Sequence, residues 1–164
     1  MNQTSRENFS DQKINLCQQQ KKYFIDKDIK VACVKASSVP QGVGEAFQKL
    51  HSILPSSQKR TLYGISHGGK NGNIIYRAAA EELHEGEAEE LGLERFIIRK
   101  GEYISEFLKD WRKDETQIGK TFEKLLSDPR IDKKQGYCLE IYLNEKDVRC
   151  MVILDPSLTD AESL

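Results

Sequence analysis

VGEAFQKLHSI at positions 43–53 and IGKTFEKLLSD at positions 118–128 are near copies of one another, separated by 75 positions in the chain (43 to 118). Five residue pairs are identical: Gly44 and Gly119, Phe47 and Phe122, Lys49 and Lys124, Leu50 and Leu125, and Ser52 and Ser127. Self-similarity at a fixed spacing is typical of chains built from repeated structural units. We therefore predict that the two stretches are equivalent helices of an internally duplicated protein.

Strand signals flank both stretches at the same offset. LYGISH (62–67) aligns with YCLEIY (137–142), and IIYRAA (74–79) aligns with RCMVIL (149–154). Runs of β-branched and aromatic residues bounded by turn residues are typical of strands. A chance match between two amphipathic helices is the alternative, but it does not explain these co-linear strands. The pattern predicts an α+β fold of two tandem strand–helix–strand–strand repeats, with an antiparallel sheet and a ligand groove between the repeats.

Composition sets the predicted boundaries. Residues 1–20 are a polar lead-in, and one domain covers 21–155. Within it, repeat one spans about 21–80, a glutamate-rich connector spans 81–93, and repeat two spans about 94–155. Residues 156–164 form a tail. Apolar residues at helical spacing place Phe47 and Phe122 in the middle of one stripe on each helix, so both should be fully buried.

Several protein classes are disfavoured by the composition. The net charge of −1 argues against a dedicated nucleic-acid binder. No apolar run approaches the roughly 20 residues that a membrane-spanning helix needs, and the N-terminus lacks an apolar signal segment, so we expect a cytoplasmic protein. Cys17, Cys33, Cys138 and Cys150 form no CxxC pair. We expect reduced thiols and neither a metal nor a cofactor.

The last predicted hairpin carries the candidate chemistry, because strand side chains alternate between two faces. A turn that pairs Leu143 with Val148 would give one wholly apolar face beneath the helix. That face would contain Leu139, Ile141, Leu143, Val148, Cys150, Val152 and Leu154. The other face would display Cys138, Glu140, Tyr142, Arg149, Met151 and Ile153. Glu140 is then a carboxylate in the middle of a strand.

Carrying the offset back to the first repeat adds Tyr63 and Tyr76 to the same groove. The predicted ligand-binding residues at this stage are Glu140, Tyr63, Tyr76, Tyr142 and Met151. Aromatic rings and one desolvated carboxylate are suited to a lipophilic cation, since ring faces attract positive charge. Glu140 could instead face solvent, or pair with Arg149 at the edge of the sheet.

From about residue 20 to residue 155, the chain resembles the GyrI-like small-molecule-binding domain, the effector-binding domain of AraC- and MerR-type transcription regulators. The resemblance is carried by VPQGVGEAFQKLHSIL, by YGISH followed by IIYRAAAEE, by FIIRKGEYISEFLKDW, and by CLEIYL followed by VRCMVILDP. It implies two modules about a pseudo-two-fold axis and a groove for hydrophobic, often cationic ligands. Glu140 matches the family's groove glutamate, and Tyr63, Tyr76 and Trp111 fall where the family places aromatic lining.

The regulators join this domain to a helix-turn-helix module, for which the residues before the first strand are too few. We therefore expect a stand-alone form without direct nucleic-acid binding. The resemblance implies three roles: a sensor or sequestering protein for a small hydrophobic molecule, a protein-binding modulator of the DNA gyrase inhibitor type, or a hydrolase of reactive compounds. We expect the first, with a cationic ligand and no catalytic residue. In the third, Glu140 would be the general base.

Overall fold

The computed structural model describes residues 20–55 and 59–159. The predictions for the polar lead-in, for Cys17 and for the end of the tail lie outside these residues. The strands are β1 (Gln20–Ile25), β2 (Ile29–Lys35), β3 (Leu62–Gly68), β4 (Ile74–Glu81), β5 (Glu94–Ile98), β6 (Gly101–Leu108), β7 (Cys138–Tyr142) and β8 (Val148–Ile153). The helices are α1 (Val43–Ile53), α2 (Glu87–Glu90), α3 (Thr116–Leu126) and α4 (Pro156–Thr159), and Trp111–Lys113 form one turn of 3₁₀ helix. The α+β class is confirmed.

All eight strands form one curled antiparallel sheet in the order β1-β6-β8-β7-β3-β4-β2-β5. The two strands β7 and β3 meet at the centre of this sheet. Outward from the centre, one half contains β8 and β6, and the other contains β4 and β2. The segment β2–α1–β3–β4 therefore occupies one half and β6–α3–β7–β8 occupies the other. The internal duplication itself stays a prediction.

Both faces of the sheet are buried in its central part. Helices α1 and α3 cover one face, which we call the helix face. On the opposite face, apolar side chains from both halves form one cluster that contains Val31, Ile65, Leu139 and Ile153. Because neither face of β7 is left to solvent, this strand has no polar side that would mark its orientation.

The predicted register of the last hairpin is wrong by one residue. Glu140 pairs with Cys150, and Tyr142 pairs with Val148. The amide oxygen of Asn144 accepts hydrogen bonds from the backbone N–H groups of Lys146 (2.7 Å) and Asp147 (2.9 Å), which tightens the turn. A slip of one residue exchanges the two faces of one strand relative to the other. Glu140 therefore lies on the helix face with Cys150, not beside Met151.

The constant offset of 75 positions does not extend from the helices to the hairpins. It predicted that Ile65 corresponds to Glu140, but Ile65 pairs with Leu139 and lies on the opposite face from Glu140. The connections between helix and following strand cover 54–61 in the first half and 127–137 in the second. This difference in length shifts the correspondence between β3 and β7.

The two helices bury their phenylalanines to different extents. Phe122 is 8% exposed and packs in the core beneath α3, as predicted. Phe47 is only half-buried, so the prediction of full burial is wrong for this residue. Ala46 and Leu50 form the buried stripe of α1. Phe47 lies beside that stripe.

The glutamate-rich connector is part of the packed structure. Glu87 is buried, and its carboxylate pairs with both terminal nitrogens of Arg60, the Nη2–Oε2 distance being 2.8 Å. Glu82 lies 3.1 Å from the Nε of Arg95. Ion pairs of these two buried carboxylates tie the connector to its neighbours, whereas the side chains of Glu85, Glu89 and Glu90 are exposed.

Candidate functional site

Glu140 lies at the centre of the sheet, on the helix face, where it pairs with Gly64 of β3. Its side chain is buried, and two tyrosine hydroxyls donate to the same carboxylate oxygen. The Oη of Tyr142 lies 2.5 Å from Oε1, and the Oη of Tyr76 lies 3.2 Å from it. The two hydroxyl oxygens are 3.4 Å apart. Residues from β4 and β7 therefore converge on one carboxyl group.

Gly64 provides the space for this convergence. A Cβ atom at this position would lie 2.0 Å from the Oη of Tyr76 and 3.0 Å from the Cδ of Glu140. The side chain of Tyr76 thus crosses β3 directly above the glycine backbone. Sequence analysis missed Gly64, although a glycine inside a strand often marks a close approach by another group.

Aromatic rings from separate elements surround the carboxyl group. The ring of Phe47, on α1, lies edge-to-face with Tyr142 at 5.5 Å and with Tyr76 at 6.3 Å between centroids. Trp111, from the 3₁₀ turn, lies 5.8 Å from Tyr142. The tertiary structure therefore brings Trp111, Tyr76 and Tyr142 together around Glu140, and it adds Phe47.

Burial raises the pKa of Glu140, and hydrogen bonds from Tyr142 and Tyr76 oppose this rise. The pKa values of both tyrosines are raised as well, mainly by burial and then by the neighbouring carboxylate, so their hydroxyls remain donors. Among the described residues, no lysine, arginine or histidine forms an ion pair with Glu140. The group is a buried carboxyl without a positive partner.

Tyr63 and Met151 lie away from this site. Tyr63 pairs with Ile141, and Met151 pairs with Leu139, so both belong to the face opposite Glu140. Both are buried in the apolar cluster there. Burial raises the pKa of Tyr63 to about 12. The register error explains why Met151 was grouped with Glu140, and the 75-residue offset, which does not extend to the hairpins, explains the same error for Tyr63.

A second buried carboxylate lies two strands away on the same face. Glu106 pairs with Cys150, which in turn pairs with Glu140. Glu106 is 7% exposed, and the Nζ of Lys124 lies 3.6 Å from its Oε2 atom. Lys124 partly balances this charge, whereas no basic side chain of the described residues forms an ion pair with Glu140. The two glutamates share a face but differ in their electrostatic surroundings.

An apolar cavity of about 340 Å³ lies beside the Glu140 site. Ser66 and Cys138, which are paired across β3 and β7, contribute to its wall. On the helix face this pair comes next after Gly64 and Glu140, because the intervening pair of Ile65 and Leu139 faces the other side of the sheet. The apolar part of the wall comes from Ile74, Leu126, Ile131 and Val152, while His67, Asp132, Lys133 and Tyr137 also line the cavity and Glu140 does not. The cavity thus opens onto the helix face one step from the carboxyl group.

The described residues offer neither a metal site nor a membrane-spanning helix. No group of three or more histidine, cysteine, aspartate or glutamate side chains there could hold a metal ion. No helix in that part of the chain is long and apolar enough to cross a bilayer. Cys33, Cys138 and Cys150 are free thiols.

Solved structures share this fold at very low sequence identity. SAV2435 bound to tetraphenylphosphonium superposes with a TM-score of 0.60 at 5% identity, covering 88% of this chain and 99% of that one. An integron cassette protein from the mobile metagenome of Vibrio cholerae gives 0.59 at 12% identity, covering 84% and 97%. A hydrolase from Listeria innocua gives 0.54 at 9% identity, covering 84% and 92%.

These likenesses are compatible with the GyrI-like fold, and at such identities they show the fold alone. No family model and no curated protein matches the sequence. The structures that share the fold include a ligand-bound protein and a hydrolase, so the fold alone does not decide the function. The function has to be argued from the residues around Glu140.

Proposed function

We propose that this protein binds a small hydrophobic cation on the helix face of the sheet, with Glu140 as its counter-charge. One observation carries the proposal: a buried carboxyl, held by two tyrosine hydroxyls and surrounded by aromatic rings, has no positive partner among the described residues. A buried ionised group without a partner is unfavourable. A cationic ligand would supply that partner.

Chemical complementarity supports a hydrophobic cation over other ligand classes. The faces and edges of Phe47, Trp111 and Tyr142 offer apolar contact, and ring faces attract a cation within about 6 Å. The cavity beside Ser66 and Cys138 offers apolar volume for the rest of the ligand. The ligand-binding residues in this proposal are Glu140, Tyr76, Tyr142 and Trp111, with Phe47 added. Tyr63 and Met151 are left out.

The predicted internal duplication is part of the same proposal. We infer that β2–α1–β3–β4 and β6–α3–β7–β8 are duplicated repeats about a pseudo-two-fold axis between β3 and β7. The matching helix sequences and the strand order on either side of the centre support this. The ligand would then lie in the groove between α1 and α3, where the repeats meet.

The role that follows is that of a GyrI-like sensor or sequestering protein for lipophilic cations. SAV2435, which shares the fold, was solved with the lipophilic cation tetraphenylphosphonium. Binding by itself requires only a pocket and a counter-charge, and both features are present on the helix face. The gyrase-type alternative would rest on the exposed Glu85, Glu89 and Glu90 of the connector alone, because Glu82 and Glu87 are buried in ion pairs.

The experiment compares wild-type protein with Glu140→Gln, using tetraphenylphosphonium and the neutral triphenylphosphine oxide in calorimetric titrations. We expect the substitution to weaken binding of the cation at least tenfold, about 1.4 kcal/mol, and to affect the neutral compound much less. Glu106→Gln is the matched control, since it removes another buried carboxylate from the same face. It should leave binding of the cation within about twofold.

Equal losses for the charged and neutral compounds would show that Glu140 acts through structure. Undiminished binding of the cation would place the site elsewhere and contradict the proposal. Melting temperatures of both variants, measured without ligand, separate a binding defect from an unfolded protein.

A hydrolase is the second candidate, favoured by one specific feature. The raised pKa of Glu140 suits a general base, and the tyrosine hydroxyls beside it could donate to a departing group. A hydrolase from Listeria innocua also shares the fold. If Glu140→Gln kept its affinity for an electrophilic cyclopropane compound but lost all turnover of it, catalysis would replace simple binding as the function.

A further inference from the structure

A second cavity, of about 490 Å³, lies where the end of β3 meets β5 and the loop before β7. Its volume is in the range of small-molecule sites. His67 and Gly68 contribute from β3, Phe96 from β5, and Lys133 and Tyr137 from the loop. None of the aromatic residues around Glu140 lines this cavity, but Lys133 and Tyr137 also line the 340 Å³ cavity, so the two cavities adjoin.

Positive charge dominates the wall of this cavity. Arg99, Lys133 and Lys134 all contribute to it, and no aspartate or glutamate does. Neither lysine takes part in an ion pair formed among the described residues. The nearest acidic group of the loop is Asp132, whose Oδ2 lies 3.5 Å from Arg99 Nη1. The wall of the cavity thus carries an excess of positively charged side chains.

Aromatic side chains form the other part of the wall. The rings of Phe96 and Tyr137 meet edge-to-face at 5.2 Å, and the guanidinium of Arg99 lies 5.5 Å from the centre of the Tyr137 ring. Tyr137 is buried, and its hydroxyl accepts a hydrogen bond from the backbone N–H of Arg99 (2.8 Å). That hydroxyl also contacts the hydroxyl of Tyr103 at 2.7 Å. These contacts fix the ring beside the arginine.

The loop that carries the two lysines is tightly closed. The carboxylate of Asp132 accepts hydrogen bonds from the backbone N–H groups of Lys134 (3.1 Å) and Gln135 (3.0 Å). The Nη2 atom of Arg99 donates to the carbonyl oxygen of Gln135 at 2.6 Å. A Cβ atom on Gly136 would lie 2.0 Å from the carbonyl oxygen of Asp132. The side chain of Arg99 and the backbone that carries the two exposed lysines are therefore held in position by the protein itself.

We propose that this cavity binds an aromatic anion, a small molecule in which a carboxylate, sulfonate or phosphate is attached to a ring. The anion would lie against Arg99, Lys133 and Lys134, because a guanidinium with nearby ammonium groups matches oxyanion geometry and charge. The ring would pack on Phe96 and Tyr137. This site differs from the one around Glu140 in the charge that it selects.

The test uses 2-naphthyl phosphate as the probe, with fluorescence titration and chemical-shift mapping on the full chain. The double variant Lys133→Gln/Lys134→Gln should weaken binding at least tenfold. The control Lys100→Gln/Lys109→Gln removes the same net charge from exposed lysines outside the cavity, and we expect a change below about twofold. The neutral 2-naphthol should bind much more weakly than the phosphate.

Phe96→Leu tests the ring contact. It should weaken binding of the probe by roughly three- to fivefold, which corresponds to the loss of one aromatic edge or face contact. Glu140→Gln should bind the probe as wild type does. Absence of saturable binding to wild type would overturn the proposal. Equal losses in the two double lysine variants would also overturn it, since they would show non-specific attraction to the net charge.

Discussion

The helices α1 and α3 carry nearly the same sequence but have different surroundings. Under α3, Phe122 packs against a core that includes Cys150 and Val152 from β8. Under α1, β4 contributes the small residues Ala78 and Ala80, which pack with the residues of the stripe beside Phe47. Phe47 is left half-buried next to two tyrosines of the candidate site. The same residue therefore stabilises the core in one half and lines the site in the other.

The largest difference between the halves should appear in stability. Phe122→Ala removes a buried ring and should lower the free energy of unfolding by about 3 to 5 kcal/mol. Phe47→Ala should lower it by less than half as much, because its ring is half exposed and less contact is lost. Urea denaturation followed by circular dichroism measures both values. A loss for Phe47→Ala as large as that for Phe122→Ala would contradict the comparison.

Substitutions at Gly64 and Gly119 test the comparison between the two halves further. Gly64→Ala should destabilise the protein by about 1 to 3 kcal/mol, because the new methyl group overlaps the hydroxyl of Tyr76. Gly119→Ala is the control, since nothing lies within 4 Å of its added Cβ on α3. In a helix interior, that change should stabilise by about 0.5 to 1 kcal/mol. Equal melting temperatures for the two variants would mean that Tyr76 does not cross β3 at Gly64.

Ligand affinity should depend more on Phe47 than on Phe122, which is the reverse of their expected effects on stability. Phe47→Leu keeps an apolar side chain but removes the ring, so affinity for tetraphenylphosphonium should fall by about 0.5 to 1 kcal/mol, roughly two- to fivefold in Kd. Phe122→Leu should leave Kd unchanged once the protein is folded, because that ring belongs to the core. Calorimetric titration of both variants measures the difference. If Phe122→Leu weakened binding more than Phe47→Leu, the site would lie nearer α3.

The free energy of unfolding should depend on pH differently in wild type and in Glu140→Gln. The pKa of Glu140 is raised in the folded protein above its ordinary value of 4.5. Its contribution to stability is therefore complete below the unfolded pKa and is lost as pH rises through the folded pKa. The stability of wild type relative to Glu140→Gln should fall as the pH increases from about 4.5, as measured by denaturation at each pH.

Saturating tetraphenylphosphonium should offset this loss, because the cation stabilises the ionised carboxylate. A stability difference that stays constant across the pH range would show that Glu140 titrates alike in the folded and unfolded protein.

Several features could be predicted from the sequence because they depend on local pattern. The two helices appear where the apolar spacing of 43–53 and 118–128 indicates them, and the hairpins follow each helix. Glu140 was identified as the candidate counter-charge, and Tyr76, Tyr142 and Trp111 do come together around it. Aromatic residues and a lone strand carboxylate are conspicuous in any register, so these predictions did not depend on knowing the register.

Only the tertiary structure decided which face each strand residue occupies. Residues of β7 and β8 are buried on both faces, so the alternation of apolar side chains has no solvent side to orient it. The turn at Asn144 sets the register that places Met151 on the face opposite Glu140, and the pairing of β3 with β7 places Tyr63 there. Contacts between distant segments also determined the exposure of Phe47 and the clearance above Gly64. Such contacts depend on which strands become neighbours, and sequence spacing alone does not specify that.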